Sequence, residues 1–181
     1  AELVQVDLLA ADLERLAASA PIGADGLCVL PFGNGAERML GNRDLGARIA
    51  HLNVNRHDRA HLCRATLEGI AFAFVHGIQI LRELGLPLSV IRAGNDNLFQ
   101  SAVFCETLAT LAAVEIEILA TTGAAGAAKA AGVAIGAYAS PEEAVQTQKS
   151  VLLYAPNPKA APYREALEKW GRLLVATMDI G

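Results

Sequence analysis

The segment from Leu88 to Ser101 constrains this chain most. Leu88-Ser89-Val90-Ile91-Arg92 alternates apolar and polar residues, the signature of a half-buried strand. It passes through Ala93 into Gly94-Asn95-Asp96-Asn97, after which Phe99 to Ala113 has helical spacing. A glycine behind a strand lets the backbone turn sharply and come close to a ligand, and N–H groups at the next helix start favour anionic oxygens. Such a joint suits nucleotide phosphates, and it also occurs throughout α/β proteins as a plain connection. A second alternating strand follows, Val114-Glu115-Ile116-Glu117-Ile118, and Thr121 or Thr122 is placed to cap a glycine-rich helix over 123–138. Its glycines at 123, 126, 132 and 136 each cost about 1 kcal/mol against alanine in a helix interior. Close approach of a ligand or of a neighbouring backbone accounts for them, and tight helix packing alone suffices. Strand, helix, strand and glycine-rich helix together suggest a nucleotide-binding α/β core.

The flanking sequence adds helices and a loop. Val6, Leu9, Leu13 and Leu16 fall at helical spacing, and Pro21 and Gly23 end that helix. Leu27-Cys28-Val29-Leu30 reads as a short buried strand, and 33–56 as a long ordered loop or a pair of short strands. The strongest helix spans about 58–84, capped by Asp58 and stopped by Gly85, with Leu67, Ile70, Ala71, Phe74, Ile78 and Leu81 on one face. Ser140-Pro141-Glu142-Glu143 opens a short helix. Beyond the proline-rich joint at 155–162, an amphipathic helix from Tyr163 to about Thr177 is expected to pack on the outside.

At 181 residues with 53% hydrophobic content, the chain is long enough to bury a proper core. A net charge of −4 with no basic run argues against nucleic acid and anionic membranes as partners. The small-residue run at 123–139 is short and carries Lys129, so it does not read as a membrane span. Cys28, Cys63 and Cys105 are odd in number and set among apolar residues, which fits buried, reduced thiols and a cytoplasmic protein. His57 and His61 stand four apart, as metal ligands on one helix face do. Asp rather than Glu separates them at position 58 and no third ligand is evident, so capping and polar contacts at a helix start explain them better. Glu37-Arg38 reads as a charge pair ordering its loop or as a group reaching a substrate. Neither a G-x-S-x-G elbow nor a G-x-x-x-x-G-K-[ST] loop occurs.

The order of motifs carries a resemblance. Gly23-Ala24-Asp25-Gly26-Leu27 followed by Leu30-Pro31-Phe32 and Ala36-Glu37-Arg38 resembles the "GADGL…LPY…GER" segment of FGGY-family carbohydrate kinases. His57-Asp58-Arg59-Ala60-His61-Leu62-Cys63-Arg64-Ala65, continuing through Leu67-Glu68-Gly69-Ile70-Ala71-Phe72, is similar to the family's "HTRAHL.RA.LEG.AF" signature. The glycine loop at Gly94 comes next, and Gly123-Ala124-Ala125-Gly126-Ala127-Ala128 is similar to the family's "EGAALGAA" helix. Within the family the wording looks closest to xylulokinase-like members.

The resemblance implies an actin-like, ribonuclease-H-like α/β fold with helices packed on a mixed sheet. Residues 1–181 would form the later part of the C-terminal, nucleotide-binding domain. The N-terminal sugar-binding domain, and the aspartate that serves as general base, are expected outside these residues, which would be inactive alone. The implied reaction transfers the ATP γ-phosphate to a sugar hydroxyl, most nearly that of D-xylulose, with Mg²⁺ as the metal and no metal ligand within this chain. A non-catalytic association module built on the same domain is the alternative. The family's nucleotide loop falls on Gly94, Asn95, Asp96 and Asn97, with Gly94, Asn95, Asn97 and Ser101 as the expected nucleotide contacts and the adenine- or ribose-side polar residue on Ser101 or Asn97. Here the usual triple glycine is reduced to Gly94, about two residues are added before Ser101, and Thr122 replaces an acidic residue. Asp96 is unfavourable beside phosphate unless Mg²⁺ or a backbone N–H engages it. A partial domain exposes apolar surface, which suggests a homodimer.

Overall fold

The computed structural model describes residues 2–146 and 149–179, with side chains over 11–144 and 149–179. Helix α1 (Glu2–Ser19) ends before Pro21, and strand β1 (Cys28–Leu30) pairs antiparallel with β2 (Arg48–Ala50), Val29 opposite Ile49. The stretch at 33–56 is therefore a loop plus one short strand. Its ordering is backbone-made: Glu37 and Arg43 form a bridge around a 3-10 turn at Arg38–Leu40, and Glu37 and Arg38 do not pair with each other. On the expected α1 stripe, Val6 and Leu9 lie outside the described side chains, Leu13 is exposed and Leu16 half-buried.

Helix α2 (Arg59–Glu83) is the spine of the molecule. The Asp58 carboxylate accepts from the N–H groups of Ala60 (2.9 Å) and His61 (3.2 Å), satisfying donors that a helix start leaves free. Gly85, at φ +77°, follows its end. Its buried face matches the expected one in part: Ala71 and Ile78 are buried, and Leu67 and Ile70 are half-buried against the core. Phe74 and Leu81 are 43% and 44% exposed, whereas Arg64, Ala65, Glu68, Gly69, Phe72 and Val75 are buried. The reason is that α2 is covered by β1 and α1 on one flank and by α3 on another, so no single stripe faces a core. Gly69 marks the tightest approach, since a Cβ there would run into the Val29 carbonyl of β1.

Strands β3 (Val90–Gly94), β4 (Glu115–Leu119) and β5 (Ser150–Tyr154) form a mixed sheet in the order β3-β4-β5, parallel for β3/β4 and antiparallel for β4/β5. Ile116 and Ile118 of β4 are buried with Phe104 and Leu108 of α3 (Ala102–Ala112) and with Val75 and Ile78 of α2. The helix expected over 99–113 divides instead into a 3-10 turn at Asn97–Gln100 and α3, because Ser101 caps α3 and interrupts the spiral. Helix α4 (Gly123–Ala134) stops short of the expected Tyr138, at Gly136 with φ +77°, and α5 (Pro141–Gln146) follows.

Helix α6 (Ala161–Met178) begins two residues earlier than expected, because Pro162 fits its first turn. It is also less peripheral. Trp170 is 2% exposed, packs edge-on to Phe72 at 6.0 Å, and donates from Nε1 to the Val29 carbonyl at 2.9 Å. With Leu30, Phe32 and Leu174 it forms a second core, sealing the β1/β2 pair to α2.

Candidate functional site

The loop after β3 is built by four residues that each face a different constraint. Gly94 ends β3, and a Cβ on it would sit 2.7 Å from the Thr121 carbonyl, so glycine is required for the β4–α4 connection to pass this closely. The Asn95 N–H is shared between the carbonyls of Leu119 (3.1 Å) and Thr121 (3.0 Å), and its own carbonyl accepts from Gln100 Nε2 at 3.2 Å. Asn97 takes φ +48°, a left-handed conformation that asparagine tolerates better than most side chains. Asn95 and Asn97 both expose their side chains to solvent.

Asp96 ties this loop to the glycine-rich helix. Its Oδ2 accepts the Gly123 N–H at 3.0 Å, at the positive end of α4, while Thr122 caps the same helix through Oγ1 to the Ala125 N–H at 3.3 Å. The condition under which Asp96 is acceptable beside phosphate is thus met by a backbone donor. It is also a residue whose organising role the sequence did not disclose, because its partner is 27 positions away.

Ser101 is engaged elsewhere. Its hydroxyl donates to Glu14 Oε2 at 2.6 Å and accepts the Phe104 N–H at 3.1 Å, while Glu14 Oε1 takes the Val103 N–H at 3.0 Å. The start of α3 is therefore capped jointly by its own serine and by a carboxylate from α1. Nothing in the spacing around Glu14 signals this contact, which spans 87 positions.

The glycines of α4 divide by cause. Gly132 is explained by packing, since a Cβ would sit 2.8 Å from the Tyr138 ring. At Gly123 the nearest atom to such a Cβ is Asp96 Oδ2 at 3.9 Å, and at Gly126 there is open space. The first turn of α4 thus leaves room beside the loop that helix packing does not use. The corner sets exposed asparagine side chains on the loop beside the glycine-bearing first turn and N-terminus of α4. The loop's own carboxylate is already held by Gly123.

His57 and His61 belong to the start of α2 and, among the described residues, share no contact with the loop after β3. His61 Nδ1 is 2.7 Å from Asp58 Oδ1 and its Nε2 is 3.3 Å from Asp25 Oδ2, so its ring completes the α2 cap and ties it to the 24–26 turn. His57 Nδ1 accepts the Asn53 N–H at 3.1 Å. Beneath them, Arg64 Nε donates to Glu68 Oε1 at 2.7 Å, and both Glu68 oxygens accept the Gly23 N–H at 3.0–3.1 Å. Burial pushes the Glu68 carboxyl above the usual range even though Arg64 and Gly23 pull it back.

The sequence profile described as "FGGY family of carbohydrate kinases, C-terminal domain" matches residues 2–135. The chain belongs to this family. Among curated relatives, xylulose kinase of Haemophilus influenzae is 39% identical over 90 residues, covering 50% of this chain and 18% of that protein. Human glycerol kinase 5 is 28% identical over 185 aligned positions, covering 97% of this chain and 34% of the relative. The solved xylulose kinase of Rhodospirillum rubrum superposes with a TM-score of 0.74 at 27% identity, over 94% of this chain and 34% of that one. Plasmodium falciparum glycerol kinase, solved with ADP, shares the fold with a TM-score of 0.73 at 19% identity, over 92% of this chain and 33% of that one. The FGGY chain described here thus spans about a third or less of the length of these relatives. Its fold is the actin-like one, with helices packed on a mixed sheet.

Proposed function

We propose that this FGGY chain supplies the nucleotide side of an ATP-dependent carbohydrate kinase that phosphorylates a sugar hydroxyl, D-xylulose before glycerol. The observation that carries the reading is the Asp96–Gly123 hydrogen bond, which holds the loop after β3 against the open, glycine-faced start of α4. Family membership supports the reaction class, and the xylulose kinase likeness in sequence and in fold supports the acceptor.

In this reading Gly94, Asn95 and Asn97 form the nucleotide wall. Asn95 and Asn97 offer amide donors and acceptors, and Gly94 sets the loop close to Thr121. Ser101 stands at the α3 start, where its bond to Glu14 fixes the adenine-side edge of the wall. ATP brings the transferable phosphoryl group, and Mg²⁺ would arrive with the phosphates and neutralise charge developing between them. The general base and most of the sugar pocket belong to other parts of the kinase, so residues 1–181 alone are inactive.

A coupled assay of the full-length protein with ATP and Mg²⁺ against a panel of ketoses and polyols tests this. Turnover with D-xylulose, and a raised ATP KM on Asn97→Ala with the sugar KM held, is the expected result. No heat of ATP or ADP binding and no turnover with any acceptor would refute it and favour a non-catalytic association module.

A further inference from the structure

A cleft of about 640 Å³ lies between the 51–57 segment and the outer face of α6, sharing no residue with the loop after β3. Its size is within the range of small-ligand sites. Two walls converge on it from distant parts of the sequence. Arg56 and His57 stand on one side, and Lys169 and Arg172 on the other, one helical turn apart on α6. Leu173 and Ala176 continue that helix face as a small apolar floor.

The charge in the cleft is one-sided. Arg56 meets a carboxylate loosely, at 3.5 Å from Asp25 Oδ1, and Lys169 is paired at 2.9 Å with Glu165 one turn back on α6, a partner that does not line the cleft. Arg172 makes no ion pair among the described residues. The Asn53 N–H fixes His57 Nδ1 as an acceptor, and the proton on Nε2 faces the Asp25 carbonyl at 3.5 Å, which ties this wall to the 24–26 turn. His51, also lining the cleft, is held at φ +63°, a strained conformation for a histidine that the surrounding loop must impose. Against these stand the Asp25 carboxylate, shared by Arg56 and His61, and the Asn53 amide oxygen, which accepts the Asn55 N–H; each oxygen keeps a further lone pair for a hydroxyl group.

We propose that this cleft binds a small phosphorylated polyol, its phosphate held by Arg56, Lys169 and Arg172 and its hydroxyls turned toward Asp25 and Asn53. Guanidinium groups match phosphate geometry, and a dianion offsets the excess positive charge that the cleft otherwise leaves in water. The α6 wall lies beyond residues 2–135, the stretch matched by the family profile, while the Asp25 and 51–57 wall lies within it, and none of the lining residues belongs to the loop after β3.

Calorimetric titration of the full-length protein with ribose 5-phosphate, ribose and inorganic phosphate, in 0.15 M salt without ATP, tests the assignment. Ribose 5-phosphate should bind tightest, inorganic phosphate more weakly and ribose not at all. Arg172→Glu should weaken ribose 5-phosphate by about tenfold or more, and Arg172→Lys by less, since loss of a charge-assisted bond is of that order. Arg172 is exposed, so neither variant threatens the fold, and an unchanged ATP affinity checks this. Equal binding of ribose 5-phosphate by the wild type and Arg172→Glu would overturn the proposal. Phosphate binding as tightly as ribose 5-phosphate would overturn its polyol part.

Discussion

Arg64 and Glu68 form the most consequential side-chain pair, with side chains 8% and 2% exposed. Removing one partner of a buried pair strands the other charge at about 3–5 kcal/mol. Arg64→Met should therefore lose stability of that order at pH 7 in urea unfolding. Burial raises the Glu68 carboxyl, so its contribution favours the fold at low pH and is lost as pH rises through the raised value. The Arg64→Met deficit should accordingly shrink at pH 5, and Arg64→Met combined with Glu68→Gln should recover part of it. A deficit independent of pH would mean that Glu68 is not the stranded group. Asp58 titrates the opposite way. Its hydrogen bond with His61 holds the carboxyl below the usual range, so the cap stabilises α2 above ordinary carboxylate pH and is lost as pH falls through that lowered value. The gap in melting temperature between wild type and Asp58→Ala should close between pH 6 and pH 3. The thiols separate as well. Burial pushes Cys105 up to about 12 and raises Cys28, while Cys63 is half-buried rather than buried as its apolar neighbours suggest. Iodoacetamide on the native protein should label Cys63 first, and peptide mapping reads the order.

Glycines set the element-scale tolerances. Gly69→Ala drives a methyl into the β1 backbone, a clash that neither α2 nor β1 relieves without moving, and about 3 kcal/mol or more is expected from overpacking of this kind. Gly126→Ala meets open space and should stabilise α4 by about 0.5–1 kcal/mol through helix propensity. Under the proposed function, the same change in the full-length protein should raise the ATP KM, which separates a glycine kept for a ligand from one kept by chance. Thermal melts and ATP titrations of the two variants decide both points. These positions also show what the sequence discloses. The α2 cap and stop, the β3 and β4 alternation and the Thr122 cap are local patterns, written within a few residues. Strand β5 was not legible, because Val151-Leu152-Leu153 does not alternate and all three stay about half exposed on a sheet edge. The true start of α3 was hidden for a different reason: Ser101 is bound by Glu14, and Asp96 by Gly123, across sequence gaps that no periodicity spans. For the candidate site, the glycine loop and the glycine-rich helix are thus readable in sequence, whereas the bonds that set them side by side are not.

At the scale of the whole molecule, the uneven covering of apolar surface has consequences for association. Among the described residues β3 and β5 each pair only with β4, so both edges of the sheet present unpaired backbone groups. Val151, Leu152 and Leu153 on β5 are 49–54% exposed, and Ile135 after α4 is 83% exposed. Leu84 and Leu86, in the turn leading to β3, are 70% and 54% exposed. An open strand edge flanked by apolar side chains is a template for pairing with another strand, and few charges stand on β5 to oppose it. Residues 1–181 expressed alone should therefore self-associate at tens of micromolar. Multi-angle light scattering should return a mass above the 18.9 kDa of one chain. Replacing Leu152 by lysine places a charge on the β5 edge and should shift the population back toward monomer without lowering the melting temperature, because that side chain is only half covered in the fold. A monodisperse monomer for the unmodified chain would show that the open edges are protected in solution, and self-association unchanged by Leu152→Lys would move the contact away from β5.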